Sequence, residues 1–101
     1  MRIYPGINTF KQEQKVATRQ NRDTYIYHLL DGRGETVYIG FTNGPADREY
    51  EHRQSGKRFR TLEVRSVALT KGSARVREQE EIAYHVERHG DLPKYNKTGG
   101  G

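Results

Sequence analysis

The sequence predicts an α+β domain: a three-stranded antiparallel sheet with flanking helices. Three observations carry that prediction. Two runs rich in β-branched and aromatic residues, Thr24 to Leu30 and Glu35 to Phe41, flank the turn-forming Asp31-Gly32-Arg33-Gly34, which is a hairpin pattern. A further run, Leu62 to Leu69, reads as a third strand whose alternation breaks near Arg65-Ser66, as at a bulge or in an edge strand. Two segments bounded by helix start and stop residues, opening at Pro45 and at Ala74, supply the helices.

The hairpin sets the frame. A loop centred on Gly32-Arg33 places Leu30 opposite Glu35 and, counting back, Tyr27 directly opposite Tyr38. Side chains alternate between faces. Ile26 and Leu30 then share one face with Val37, Ile39 and Phe41, while Tyr27 and Tyr38 share the other, less apolar one. Directly opposed side chains have Cβ atoms roughly 4.5–5.5 Å apart. Two adjacent phenols are either an aromatic pair that stabilises the sheet or a chemical unit. His28 falls on the face opposite Tyr27.

The helix from Pro45 to about Gln54 starts with proline at its first position and stops near Ser55-Gly56. Its apolar content is Ala46 and Tyr50, too little for a packing stripe, yet Arg48 and His52 are four residues apart and share a face. Lys57-Arg58-Phe59-Arg60 interleaves bases with an aromatic, a composition that suits a phosphate backbone. Ser73 is a plausible N-cap for a second helix from Ala74 to about His89, ended by Gly90. Its inward stripe is Ala74, Ile82 and Val86, and Glu78 lies on that stripe; Glu80 points away and Glu81 sits at the margin. A carboxylate on the apolar side of a helix needs a salt-bridge partner or a metal. His85 and His89 have a zinc-like spacing without an evident third ligand; packing or charge at the helix C-terminus accounts for them.

Composition narrows the function classes. The chain has 101 residues, one domain's worth, with 32% hydrophobic residues, so its core is thin. Eighteen Lys and Arg against thirteen Asp and Glu leave a net charge of +5, which favours a polyanionic partner. The absence of Cys excludes a disulfide scaffold, thiolate-bound zinc and a thiol nucleophile. No apolar run approaches membrane-spanning length, and no apolar signal segment follows the first residues. Residues 1–23 read as a linker or N-terminal helix, 24–98 as the domain, and 99–101 as a flexible glycine tail.

These residues together resemble the GIY-YIG nuclease superfamily. Tyr25-Ile26-Tyr27 stands for the first signature, with Tyr in place of Gly, and Tyr38-Ile39-Gly40 is the second, intact. The Arg-x-x-x-His helix motif is Arg48 to His52; the Glu between a small and an apolar residue, each four away, is Glu78; the Asn after a proline turn is Asn96, in Pro93-Lys94-Tyr95-Asn96. Five landmarks in order cover about residues 24–97. The pair Glu78-Gln79 and the ending Leu92 to Lys97 look like the C-terminal modules of bacterial polymorphic toxins.

The resemblance implies a metal-dependent endonuclease, DNA favoured, leaving 5′ phosphate and 3′ hydroxyl ends. It implies Tyr27 as general base for water, by itself or through a relay, with Tyr38 orienting water or phosphate and His52 assisting as relay or base. Arg48 would clamp the scissile phosphate, and Glu78 would offer one carboxylate to Mg²⁺ or Mn²⁺. Lys57, Arg58 and Arg60 would contact nucleic acid; Gly40 and Asn96 would support the site. As a toxin, the domain would enter a target-cell cytoplasm as part of a larger secreted protein, and its producer would need an immunity protein, an acidic one fitting the basic face. A stand-alone DNA-repair nuclease and a non-catalytic nucleic-acid-binding domain are the other readings.

Overall fold

The computed structural model describes residues 21–98. The segment expected to be a linker or helix lies outside them up to residue 20, as does the expected tail over 99–101. The chain runs through β1 (Tyr25–Leu30), β2 (Thr36–Thr42), α1 (Pro45–Gln54), β3 (Thr61–Val64), α2 (Lys71–His89) and a short 3-10 helix (Lys94–Thr98). The strands form one antiparallel sheet in the order β2-β1-β3, so the fold is the expected α+β arrangement of a three-stranded sheet with helices.

The hairpin register differs from the expected one. Tyr27 pairs with Gly40, and Tyr38 pairs with Leu29. Two local features account for the shift. Asp31 organises a longer loop: its Oδ1 accepts from the backbone N–H of Arg33 and of Glu35, and Gly34 takes a φ of 81°. Leu30 therefore pairs with Thr36 rather than Glu35. A bulge between Leu29 and Leu30 on the pairing ladder then adds a second residue to β2. One slip would have put the two tyrosines on opposite faces; two slips restore the parity. Tyr27 and Tyr38 share a face after all, diagonally, with ring centroids 6.0 Å apart.

That face is buried, as is the other, where Ile26 and Ile39 are fully buried. Tyr27, Leu29, Val37 and Tyr38 form one buried cluster, with Phe59, Leu62 and Tyr95 packed against it. Val37 thus joins the tyrosine side, because the bulge breaks strict alternation beside it. Tyr27 is fully buried.

The first helix has the expected bounds, with Gly44 as N-cap and Pro45 at the first turn, and Gly56 beyond its end at φ 90°. The third strand is shorter than expected. Past Val64 the chain leaves the ladder, and β1 bonds instead to isolated groups: Ile26 N–H donates to Ser66 Oγ, Arg65 N–H donates to Ile26 O, and Thr24 bridges to Leu69. The break at Arg65-Ser66 is where the regular strand stops. The second helix starts one turn earlier than expected. Thr70, not Ser73, is the N-cap, and its side chain accepts from Ser73 N–H; Gly90 closes the helix in the left-handed conformation at φ 80°. On its stripe Ala74 is buried and Ile82 half-buried, but Val86 is exposed.

α1 lies on the tyrosine side, where His52 meets Tyr27, and α2 lies against β1 and β2 on the His28 side, where Glu81 meets His28. The edge of β2 is covered by Asn96. Its Oδ1 accepts from Ile39 N–H at 2.9 Å and its Nδ2 donates to Ile39 O at 3.1 Å, so one amide side chain imitates a neighbouring strand.

Candidate active site

α1 buries a single residue, and that residue is His52. This explains a helix too poor in apolar residues for ordinary packing. Its imidazole meets both phenols, at 5.8 Å from the Tyr27 ring centroid and 4.9 Å from that of Tyr38, and rests edge-on against Phe59 at 6.5 Å. The Tyr27 hydroxyl and His52 Nε2 are 2.7 Å apart. Burial pushes the Tyr27 phenol well above its ordinary pKa, helped by Tyr38 and opposed by Arg48. Burial, with the cations Lys57 and Arg48, pulls the His52 imidazole down to about 4. The phenol therefore keeps its proton and the imidazole is neutral at neutral pH, so the 2.7 Å contact joins two uncharged groups.

Gly40 explains the close approach of the rings. A Cβ there would lie 2.8 Å from the Tyr27 hydroxyl oxygen and 2.8 Å from a Tyr38 ring carbon. The register that pairs Gly40 with Tyr27 creates this contact. Glycine is needed here for space, since its φ is not in the left-handed region.

Arg48 lies on the same side of the molecule, its charge acting on Tyr27, Tyr38 and His52. Its Nε also pairs with Glu51 one turn on, at 3.2 Å. Glu78 sits close enough for its charge to raise the pKa of both phenols. Burial also raises its own pKa, which Gln79, donating at 3.3 Å, and Arg75 oppose. Tyr38 is itself shifted up, by burial first and Glu78 second. The structure thus brings Tyr27, Tyr38, Arg48, His52 and Glu78 within one electrostatic neighbourhood, with Gly40 beneath the rings and Asn96 at the adjacent edge.

The basic segment after α1 divides. Lys57 turns toward the cluster, its Nζ 5.5 Å from the Tyr38 ring centroid and its charge felt by His52. Arg58 and Arg60 are exposed. Phe59 turns inward, with the Arg53 guanidinium 4.2 Å over its ring, and Arg53 also donates to the carbonyls of Phe59 and Arg60. Sequence reasoning missed two participants: Arg75, one turn before Glu78, and Arg53 as the brace of the basic loop. The signal for Arg75 was a cation three residues from an inward carboxylate.

Glu81 belongs elsewhere. It accepts from His28 Nε2 at 2.7 Å and from Arg77 at 3.0 Å, while His28 Nδ1 meets Thr36 Oγ1 at 2.9 Å. That occupation leaves Glu78 as the half-buried α2 carboxylate whose charge acts on the two phenols. His85 and His89 stack, with centroids 4.3 Å apart, and His85 Nδ1 donates to the Asp91 carbonyl. Among the described residues no group of three or more His, Cys, Asp or Glu is arranged to hold a metal. The donor chemistry beside the phenols is a single half-buried carboxylate, which suits a hard cation held mainly by water and substrate phosphate. Among the described residues no helix is long and apolar enough to cross a membrane. Comparison with protein-family models, with curated proteins and with solved structures finds no match.

Proposed function

We propose that this chain is a GIY-YIG-type endonuclease that hydrolyses phosphodiester bonds of nucleic acid, DNA favoured, acting as the effector domain of an antibacterial toxin. The observation that carries the reading is the Tyr27–His52 hydrogen bond of 2.7 Å beside Tyr38, Arg48 and Glu78. A merely structural tyrosine pair has no need of a buried imidazole, a cation and a desolvated carboxylate around it. The net charge of +5 suits a polyanionic substrate.

Hydrolysis needs a water deprotonated as it attacks phosphorus and a leaving 3′ oxygen that is stabilised as its bond breaks. Tyr27 is too deeply buried to wait as a phenolate. It would work instead as a relay once substrate binding admits a water to its buried hydroxyl: its oxygen takes the water proton as its own proton passes to His52 Nε2. In the free protein burial first, and then Lys57 and Arg48, weakens His52 as a base. A phosphate held by those two cations would offset their share of that weakening when substrate binds. Tyr38 orients water or phosphate. Arg48 offers a planar fork to the non-bridging oxygens. Glu78 would hold one Mg²⁺ or Mn²⁺, which when bound supplies Lewis-acid stabilisation of the leaving oxygen. An immunity protein and delivery within a larger secreted toxin go with the toxin reading. A host-tolerated repair nuclease is the neighbouring alternative, distinguished by whether the gene can be cloned without an inhibitor.

The test is cleavage of plasmid DNA and total RNA with Mg²⁺ and with EDTA, wild type beside Glu78→Ala and Tyr27→Phe. Metal-dependent cleavage lost in both variants is expected. Cleavage that survives both, or needs no metal, removes the site assignment. Retention of nucleic acid without cleavage makes this a binding domain.

A further inference from the structure

Beyond the phenol cluster, Arg48 also lines a separate cavity of about 480 Å³, shared with Phe41, Asn43, Lys71, Asn21 and Asp23. We propose that this cavity binds one nucleotide flanking the scissile phosphate, with its base against Phe41 and its second phosphate at Lys71. The inference rests on the nuclease reading above, because Arg48 is then the link between cavity and reaction.

Four observations argue for it. The cavity has the volume of a single nucleotide with some solvent, not of a duplex. Phe41 is half-buried, and the Arg75 guanidinium lies 5.8 Å from its ring centroid, so the ring is already held on one side by a cation. A base stacked on such a ring is worth roughly 1–3 kcal/mol. Lys71 is the first residue of α2, whose first turn carries no acidic residue. A lysine there opposes the helix dipole and costs stability, which an incoming anion would reverse. Asn43 and Asn21 bring amides, and Asp23 brings an acceptor, to the same space. Asp23 Oδ1 already accepts from Thr24 Oγ1 at 3.1 Å, which fixes that carboxylate. Amide and carboxylate edges match the donors and acceptors of a base or sugar, whereas a purely electrostatic phosphate track would carry cations alone.

The probe is thymidine 3′,5′-bisphosphate, compared with inorganic phosphate, binding being followed by amide chemical shifts in the full chain. Plasmid and RNA cleavage are measured on the same preparations. The bisphosphate is expected to bind about tenfold tighter than inorganic phosphate, equivalent to about 1.4 kcal/mol, with shifts at Asn21 to Thr24, Phe41 to Asn43 and Lys71. Lys71→Gln and Phe41→Leu, which keeps an apolar side chain but removes the ring, should each remove most of that preference while keeping the wild-type far-UV spectrum. Equal binding of both probes, or an unaltered preference in both variants, overturns the subsite; wild-type cleavage then still supports the nuclease reading. Binding at these residues with no cleavage of either nucleic acid supports the subsite and overturns the nuclease reading.

Discussion

His28 and His52 are both buried, lie on opposite sides of one sheet, and each bonds to a side chain from another element. Their surroundings differ in one decisive respect. His28 is bonded at both ring nitrogens, by Thr36 and by Glu81, and Glu81 is anchored in turn by Arg77. It is a polar clamp that holds α2 to the sheet. His52 faces a phenol, and the charges acting on it are the cations Lys57 and Arg48. Among the described residues no carboxylate bonds to its ring, whereas Glu81 bonds to that of His28. The comparison teaches that burial alone does not distinguish the two histidines; the partners of their ring nitrogens and the charges around them do.

The largest effect should come from removing the Tyr27 hydroxyl. Tyr27→Phe is expected to lower cleavage about 10²–10⁴-fold, the usual range for lost proton transfer, and His52→Gln should do the same. If the two groups form the one relay proposed, the double variant should be no worse than either single one in single-turnover assays. Multiplying losses would show that they act separately.

On the other side, Glu81→Ala should act on stability. It leaves His28 buried without its carboxylate and should cost about 1–3 kcal/mol in urea titrations, while cleavage per folded molecule stays near wild type. A loss of cleavage comparable with that of Tyr27→Phe would erase the distinction between the two histidines. Gly40→Ala is a sharper probe of the site, since its methyl would meet both rings. We expect about 1–3 kcal/mol of destabilisation from overpacking, together with lost cleavage in the molecules that remain folded, read by melting and activity on one sample.

Acid provides the most graded test. Unfolded, both imidazoles titrate near 6.5; folded, burial holds His52 down at about 4 and His28 also below its ordinary value. Between those pH values the unfolded chain binds more protons, so stability is full above 6.5 and falls as the pH drops toward 4. The slope per histidine is at most about 1.4 kcal/mol per pH unit. Urea midpoints from pH 7.5 to pH 4.5 should show this decline, and His52→Gln should flatten it; an unchanged slope in that variant would mean that His52 is not held neutral.

Much of the site was legible in the chain before folding. Arg48 and His52 share a face because residues four apart on a helix must, and the poverty of apolar residues around them pointed away from packing. Glu78 was marked by its place on an inward stripe. The role of Lys57 beside His52, and the inward turn of Phe59, were not legible, because a loop has no period from which to read direction. Asn96 was expected as support, but its double bond to the edge of β2 at Ile39 could not be read from spacing.

By itself the sequence determined the elements: a hairpin from two alternating runs about a glycine-rich turn, helices from their caps, and the alternation that gives each strand two faces. Only the tertiary structure decided how the strands met. The Asp31 loop added one residue of offset and the bulge added another, so the pairing changed while the parity, and with it the shared face of Tyr27 and Tyr38, survived. Parity is a local property of extended backbone, but offset is set by a turn and a bulge whose geometry depends on side-chain hydrogen bonds and on packing against α1 and α2.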